Sequence, residues 1–372
     1  MEGSLIYVVA VVGLLAMAIS AIPRKRFKYG LEAAWLLIFV FLAIRYDFGN
    51  DYMTYMDAFN WGVSFDDELG MYRTSRESEP GWQFLCKLFH PLGFFTFIVL
   101  LAAFECYVFY SFIKRYVPER YYWFAIFLFV FTPSIMLIGS SAMRQMLAIV
   151  IFVNSIKYIE QRRFLLYIIS IFIASQIHSS AVILYPLYLL TYYSGRRYMI
   201  NILIVVSYVI LLLSSESMRD LIEKIASIAG EEDTVDYYLE NAVFQHDGSG
   251  MANILKVLTL LYLAVTLYIR ENKSRILFLL LIVGIFVIPF SSVIPMMGRL
   301  GYYFVVCGMV CYPIMLKDDM VAGVNGLSAK RVCSAGVLLS VVMLTIFEYM
   351  TFFVNPIWVD KFSTYHTIFE TL

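Results

Sequence analysis

Long apolar runs, each close to the length that crosses a bilayer and parted by short polar breaks, recur along the whole chain. A spanning helix takes about 20 apolar residues. At that length the runs fall at 5–22, 31–46, 93–113, 121–139, 142–158, 164–177, 179–194, 198–214, 253–269, 276–292, 299–316 and 332–354. The pattern predicts an all-α polytopic membrane protein of about twelve transmembrane helices, with residues 1–372 forming one integral membrane domain. Two polar stretches, about 47–92 and 215–252, are long enough to be loops of some size. In the second, Met218, Leu221, Ile222, Ile225 and Ile228 recur at helical spacing. They predict an amphipathic helix, either on the membrane surface or packed on neighbouring spans.

The positions of Lys and Arg orient this array. Alternate short loops carry Arg24/Lys25/Arg26/Lys28, Lys114/Arg115/Arg120, Lys157/Arg162/Arg163, Arg196/Arg197, Arg270/Lys273/Arg275 and Lys317/Lys330/Arg331, eighteen of the 28 basic residues. Short loops rich in Lys and Arg stay in the cytoplasm, so the two long acidic loops and both termini are expected outside. Glu2 precedes the first apolar run and the basic cluster follows it, the order of a retained span rather than a cleaved leader.

Composition agrees with the pattern. The chain has 372 residues, of which 61% are hydrophobic and 15% charged, with a mean hydropathy of +0.76. Soluble domains are about a quarter charged. The net charge of zero leaves no electrostatic case for nucleic acid as a partner. The five cysteines show no metal-ligand spacing, and Cys307 and Cys311, four apart in an apolar run, are expected to pack.

A few polar side chains stand where such a chain should not carry them. His178 lies 15 residues after Arg163, so a helix lifts it about 22 Å, short of a core about 30 Å thick. The turn Gln176-Ile177-His178-Ser179-Ser180 should then sit below the outer surface, buried in protein or lining a wet cavity. Arg144 is 13 residues before Lys157, about 20 Å up, in a second short hairpin after Pro133. Arg299 opens the eleventh run after Pro295, with Tyr302 and Tyr303 one turn on, and Arg45 ends the second run. A charged side chain at such depth is costly and usually marks a functional site, and several on one face point to an anionic ligand such as a lipid-linked diphosphate. Simpler roles exist: Arg45 and Arg299 can snorkel, Asp51 or Glu79 can pair with Arg45 or Arg73, and Glu105 and Glu348 can make structural contacts between helices.

The same residues fall in motifs that resemble a known family. Arg45-x3-Gly49-Asn50-Asp51-Tyr52-x2-Tyr55 resembles the R-x3-G-x-D-Y-x2-Y signature of the EpsG family, with Asn50 where Thr is common. Glu79-Pro80-Gly81-Trp82 resembles its E-x-G-aromatic element, Arg144-Gln145-Met146-Leu147-Ala148 its R-Q-x-L-A segment, His178-Ser179-Ser180-Ala181 its H-x-S-A turn, and Arg299-x2-Tyr302-Tyr303 its R-x2-Y-Y element. The resemblance implies a Wzy-type O-antigen or exopolysaccharide polymerase, a glycosyltransferase with a GT-C-like bundle in the bacterial inner membrane. It would join undecaprenyl-diphosphate-linked units at a site facing outward. Partners implied in the same way are a chain-length regulator and a flippase.

In that reading Arg144 and Arg299, with Arg45 as a third contact, stabilise the departing diphosphate. His178 is the first candidate for the base that deprotonates the acceptor hydroxyl, since imidazole exchanges protons near neutral pH. Asp51 and Glu79 are its rivals. Tyr52, Tyr55, Trp82, Tyr302 and Tyr303 are candidates for stacking on sugars. No metal or other cofactor is expected. The competing classes are a flippase, which should show inverted repeats, an O-antigen ligase or membrane acyltransferase, and a scaffold of an assembly complex, which would leave Arg144 unexplained.

Overall fold

The structure is a computed structural model that describes residues 4–61, 79–192, 206, 258–259, 275–287, 295–321, 329–356 and 358–370. The described residues form thirteen α-helices, and the chain divides into two compact units, Met1–Leu189 with Thr345–Leu372, and Leu190–Leu344. Four segments among the described residues are long and apolar enough to cross a membrane: Ser4–Ala21, Phe94–Tyr116, Arg299–Leu316 and Ala335–Phe352. Shorter apolar helices accompany them. The chain is an all-α membrane protein. The expected runs at 198–214 and 253–269 and the loop at 215–252 lie outside the described residues, apart from isolated positions.

The first unit holds α1 (Ser4–Ala21), α2 (Gly30–Ala43), α3 (Tyr52–Trp61), α4 (Pro80–Phe89), α5 (Phe94–Tyr116), α6 (Tyr122–Phe131), α7 (Leu137–Ser141), α8 (Met143–Glu160) and α9 (Phe164–Ile177). A 3-10 helix, Ser179–Thr191, follows. α1 packs on α2 and α6, α2 on α5, α5 on α8, α8 on α9, and α9 on α4. α1 shows the logic of a lipid-facing helix. Leu5, Val9, Gly13, Ala16 and Ser20, at spacings of three and four, are buried. The other face shows Tyr7, Val11, Leu14 and Leu15 to the outside, apolar side chains that water would reject.

Three departures from the sequence reading matter. The run 121–139 is broken: α6 stops at Phe131, with Thr132 extended. Pro133 disfavours helical backbone at the residue before it, so the chain turns there and restarts as α7. The loop 47–92 carries α3 and α4. The all-α chain also holds one short antiparallel pair, β1 (Arg45–Tyr46) with β2 (His366–Thr367), extended by the Ile368 N–H donating to the Ile44 carbonyl at 3.0 Å. The Tyr365 hydroxyl donates to the Phe41 carbonyl at 2.5 Å, and the Leu5 N–H donates to the Ser363 carbonyl at 3.2 Å. The end of the chain is thereby tied to its beginning.

The second unit contains α10 (Arg275–Val287), α11 (Pro295–Val305), α12 (Gly308–Val321) and the first part of α13 (Ala329–Phe352). α10 packs on α11 and α12, with Cys307 and Cys311 fully buried. The last turns of α13 belong to the first unit, where Tyr349 meets Phe131 edge to face and donates its hydroxyl to the Ile6 carbonyl at 2.6 Å.

Candidate active site

Proline and glycine set the stage. Pro80 is the first residue of α4, the position where a missing N–H costs nothing, and it leaves Glu79 at the helix N-terminus. Gly81 lies so close to the end of α9 that a Cβ there would come within 2.9 Å of the Gln176 carbonyl. This contact holds the start of α4 against the end of α9. α9 stops at Ile177, His178 is extended, and the 3-10 helix begins at Ser179 with an N–H that needs a partner.

Glu79 supplies that partner and two more bonds. Its Oε1 accepts from the Ser179 N–H at 3.1 Å and lies 2.8 Å from His178 Nδ1. Its Oε2 accepts from Arg144 Nη1. The Glu79 side chain is only 5% exposed, whereas Arg144 and His178 are 24% and 22% exposed. A nearly enclosed carboxylate thus holds an Arg and a His whose outer edges stay open. Burial alone would raise the Glu79 carboxyl, but the His178 hydrogen bond, the Arg144 charge and the Ser179 N–H outweigh it and hold the group below its ordinary range.

Arg144 is placed by a second break. α7 ends at Ser141, Ala142 is non-helical, and α8 begins at Met143. Arg144 Nε donates to the Tyr55 hydroxyl at 3.2 Å, and the guanidinium lies over the Tyr55 ring, 5.5 Å from its centre. Tyr55 meets Trp82 edge on, and Trp82 rests on Phe97 of α5. The turn before α3 docks at the same break. Gly49 has φ +81, and a Cβ on it would lie 2.4 Å from Ser141 Oγ. The Asp51 N–H donates to that oxygen at 3.3 Å.

The structure therefore brings Tyr55, Glu79, Trp82, Arg144 and His178 into one network, with Asp51 one helical turn before Tyr55. Others among the candidates stand elsewhere. Arg45 is fully buried, its guanidinium donating to the Leu42 and Ser140 carbonyls. Tyr52 is equally enclosed and donates to the Arg45 carbonyl at 2.9 Å. Arg299, Tyr302 and Tyr303 belong to the second unit, where Arg299 is exposed, Tyr302 half-buried and Tyr303 fully buried. Of the simpler pairings open to Glu79, one with Arg45 is not formed; Glu79 bonds Arg144 and His178 instead, because α4 opens against α9. Arg73 lies outside the described residues. Both Glu105 carboxylate oxygens are buried without a hydrogen-bond partner among the described residues.

Ser141 and Ser179 stand within polar turns that the sequence marks, but the linking role of Glu79 and the bonds made by Ser141 Oγ and the Ser179 N–H were not readable there. The available signal was the Glu-Pro step, which places a carboxylate at a helix N-terminus. Among the described residues, no three His, Cys, Asp or Glu side chains are grouped to hold a metal ion.

The motifs that build this network share a wider match. The sequence fits the EpsG family over residues 32–367, nearly the whole chain. The chain belongs to the EpsG family. EpsG proteins are Wzy-type polymerases, so the activity expected of this fold is of the exopolysaccharide or O-antigen polymerase type. Among curated proteins and among solved structures, nothing matches the chain.

Proposed function

We propose that this EpsG-family chain is a polysaccharide polymerase of the bacterial inner membrane. It transfers a growing glycan from undecaprenyl diphosphate to a sugar hydroxyl of an undecaprenyl-diphosphate-linked repeat unit. The proposal includes a GT-C-like bundle of about twelve spans with the site facing outward. One observation carries the chemistry: a single enclosed carboxylate, Glu79, grips His178 on one oxygen and Arg144 on the other.

With Nδ1 held by Glu79, a neutral His178 carries its proton there and presents Nε2 as a base. The acceptor hydroxyl gives its proton to Nε2 while its oxygen bonds to the anomeric carbon of the donor. The bond from that carbon to the diphosphate breaks, and its electrons go to the diphosphate oxygen. Arg144 uses Nε and Nη1 inside the protein and retains further donors for that growing charge. Arg45 acts from behind, through its bond to the Ser140 carbonyl, by fixing the break that aims Arg144. Tyr55 holds Arg144 in place, and Trp82 backs Tyr55. No step requires a metal ion.

The test is gel analysis of surface polysaccharide in a deletion strain carrying each variant. Wild type should restore long ladders, and His178→Ala should leave single-repeat products, with the rate down by about 10²–10⁴-fold. Asp51→Asn should keep ladders, since the base in this scheme is His178; single-repeat products from Asp51→Asn would make Asp51 the base instead. Loss of surface repeats altogether would point to a flippase, and long lipid-linked polymer that never reaches its final acceptor would point to a ligase. EDTA should leave elongation by the purified protein unchanged; rescue by added Mg²⁺ after EDTA would contradict the metal-free scheme.

A further inference from the structure

α5 joins two different ends of the first unit. Near its start, Phe97 supports Trp82 at the active site; near its end, Lys114 lies 17 residues on, about 25 Å away along the helix. At that far end the loop after α1, the start of α2, the end of α5 and the start of α6 line a half-open cavity of about 420 Å³. Ligand pockets of about 300–1,000 Å³ are typical for small molecules.

Its lining is cationic in excess. Arg24, Lys28, Lys114 and Arg120 face Glu32 and Glu119. Both carboxylates are already engaged: Glu119 pairs with Arg24, and Glu32 with Lys114 at 2.9 Å. These pairs brace the walls, one joining the two loops and the other joining α2 to α5. Lys28 and Arg120 pair with no carboxylate among the described residues and instead rest against Tyr29 and Tyr121. Phe27 and Leu31 add an apolar side to the same cavity.

The surroundings are those of a membrane head-group layer. The apolar helices α1 and α2 end and begin here, and Tyr29 and Trp123, next in the chain to the lining residues Lys28 and Tyr122, are 57% and 36% exposed. Tyr and Trp gather at this depth in membrane proteins. Basic pockets between spanning helices on the Lys- and Arg-rich side recognise anionic head groups. We infer that this cavity binds the phosphodiester head of an anionic phospholipid, in the leaflet opposite the active site, with Lys28 and Arg120 as its phosphate contacts. The site is independent of the glycosyl-transfer chemistry.

Native mass spectrometry of the full chain in mild detergent tests this, with cardiolipin, phosphatidylglycerol and phosphatidylcholine as probes. Wild type should retain the two anionic lipids over phosphatidylcholine. Lys28→Gln with Arg120→Gln should weaken that retention roughly thirtyfold, and Arg120→Gln alone, the milder variant should the pair fold poorly, about fivefold. Lys25→Gln with Arg26→Gln removes equal charge from the same loop outside the cavity and should leave retention unchanged. Equal losses in the two double variants would reduce the effect to general surface charge and overturn the site. Absence of any preference over phosphatidylcholine would overturn it too. Displacement of the lipid by millimolar inorganic phosphate as readily as by cardiolipin would assign the cavity to free anions and overturn the lipid reading.

Discussion

A single carboxylate does two jobs in this site, and its replacement separates them. Glu79→Gln keeps the shape but removes the charge that holds Arg144 and orients His178. The expected loss of stability is roughly 1–3 kcal/mol, read from thermal unfolding in detergent. Its pH dependence has a definite sign. The folded carboxyl is held below its ordinary value of 4.5, so the contribution is fully present above that pH and is lost as pH falls through the lower folded value. Wild type and Glu79→Gln should therefore differ at neutral pH and converge well below pH 4.5; a gap that stayed constant would contradict the ion pair. His178 and Arg144 are legible in the sequence as misplaced polar groups within motifs, and Glu79 through its motif alone. Their bonds are not, because Glu79 is 65 residues from one partner and 99 from the other. Pairing over such distances is decided by packing that no local pattern reveals. The bonds of Arg45 were hidden for the same reason. Its depth was readable, but whether its guanidinium faced a cavity or two carbonyls was not.

The helices themselves mattered less than the places where they stop. Pro133 ends α6, Ala142 separates α7 from α8, and Gly81 lets α4 touch α9. Gly81→Ala would push a methyl group into the Gln176 backbone, separate α4 from α9 and draw Glu79 away from Ser179. Activity should fall while the helical circular dichroism signal stays; unchanged elongation would show that the contact does not set the site. Gly49→Ala puts a side chain at φ +81 and against Ser141 at 2.4 Å. The conformation alone costs roughly 1–2 kcal/mol, and the clash adds to it, so a clear drop in melting temperature is expected. Prolines and apolar runs announced most helix ends to within a few residues. The Ser179–Thr191 segment was announced as a span but is a 3-10 helix, a distinction that the spacing of its apolar residues does not carry. The β1–β2 pair is two residues long on each side and joins positions over 300 apart in the chain, so it left no pattern to read.

At the scale of the molecule, hydropathy gave the class of protein and the motifs gave the family, while the division into two units had no counterpart in the pattern of runs. The first unit closes on itself through the C-terminal segment, where Phe362 packs on Phe48 and Tyr365 on Phe41, next to the Gly49 turn. Cutting the chain after Asn355 should loosen that turn and impair elongation along with stability. In the proposed mechanism Glu79, His178 and Arg144 act together in glycosyl transfer. The direct measurement is elongation of an undecaprenyl-diphosphate-linked repeat by purified protein in proteoliposomes, comparing wild type with Glu79→Gln, His178→Ala and Arg144→Lys. Wild type should build long glycans and all three variants should stall at one repeat while remaining folded; full-length product from all three would contradict it.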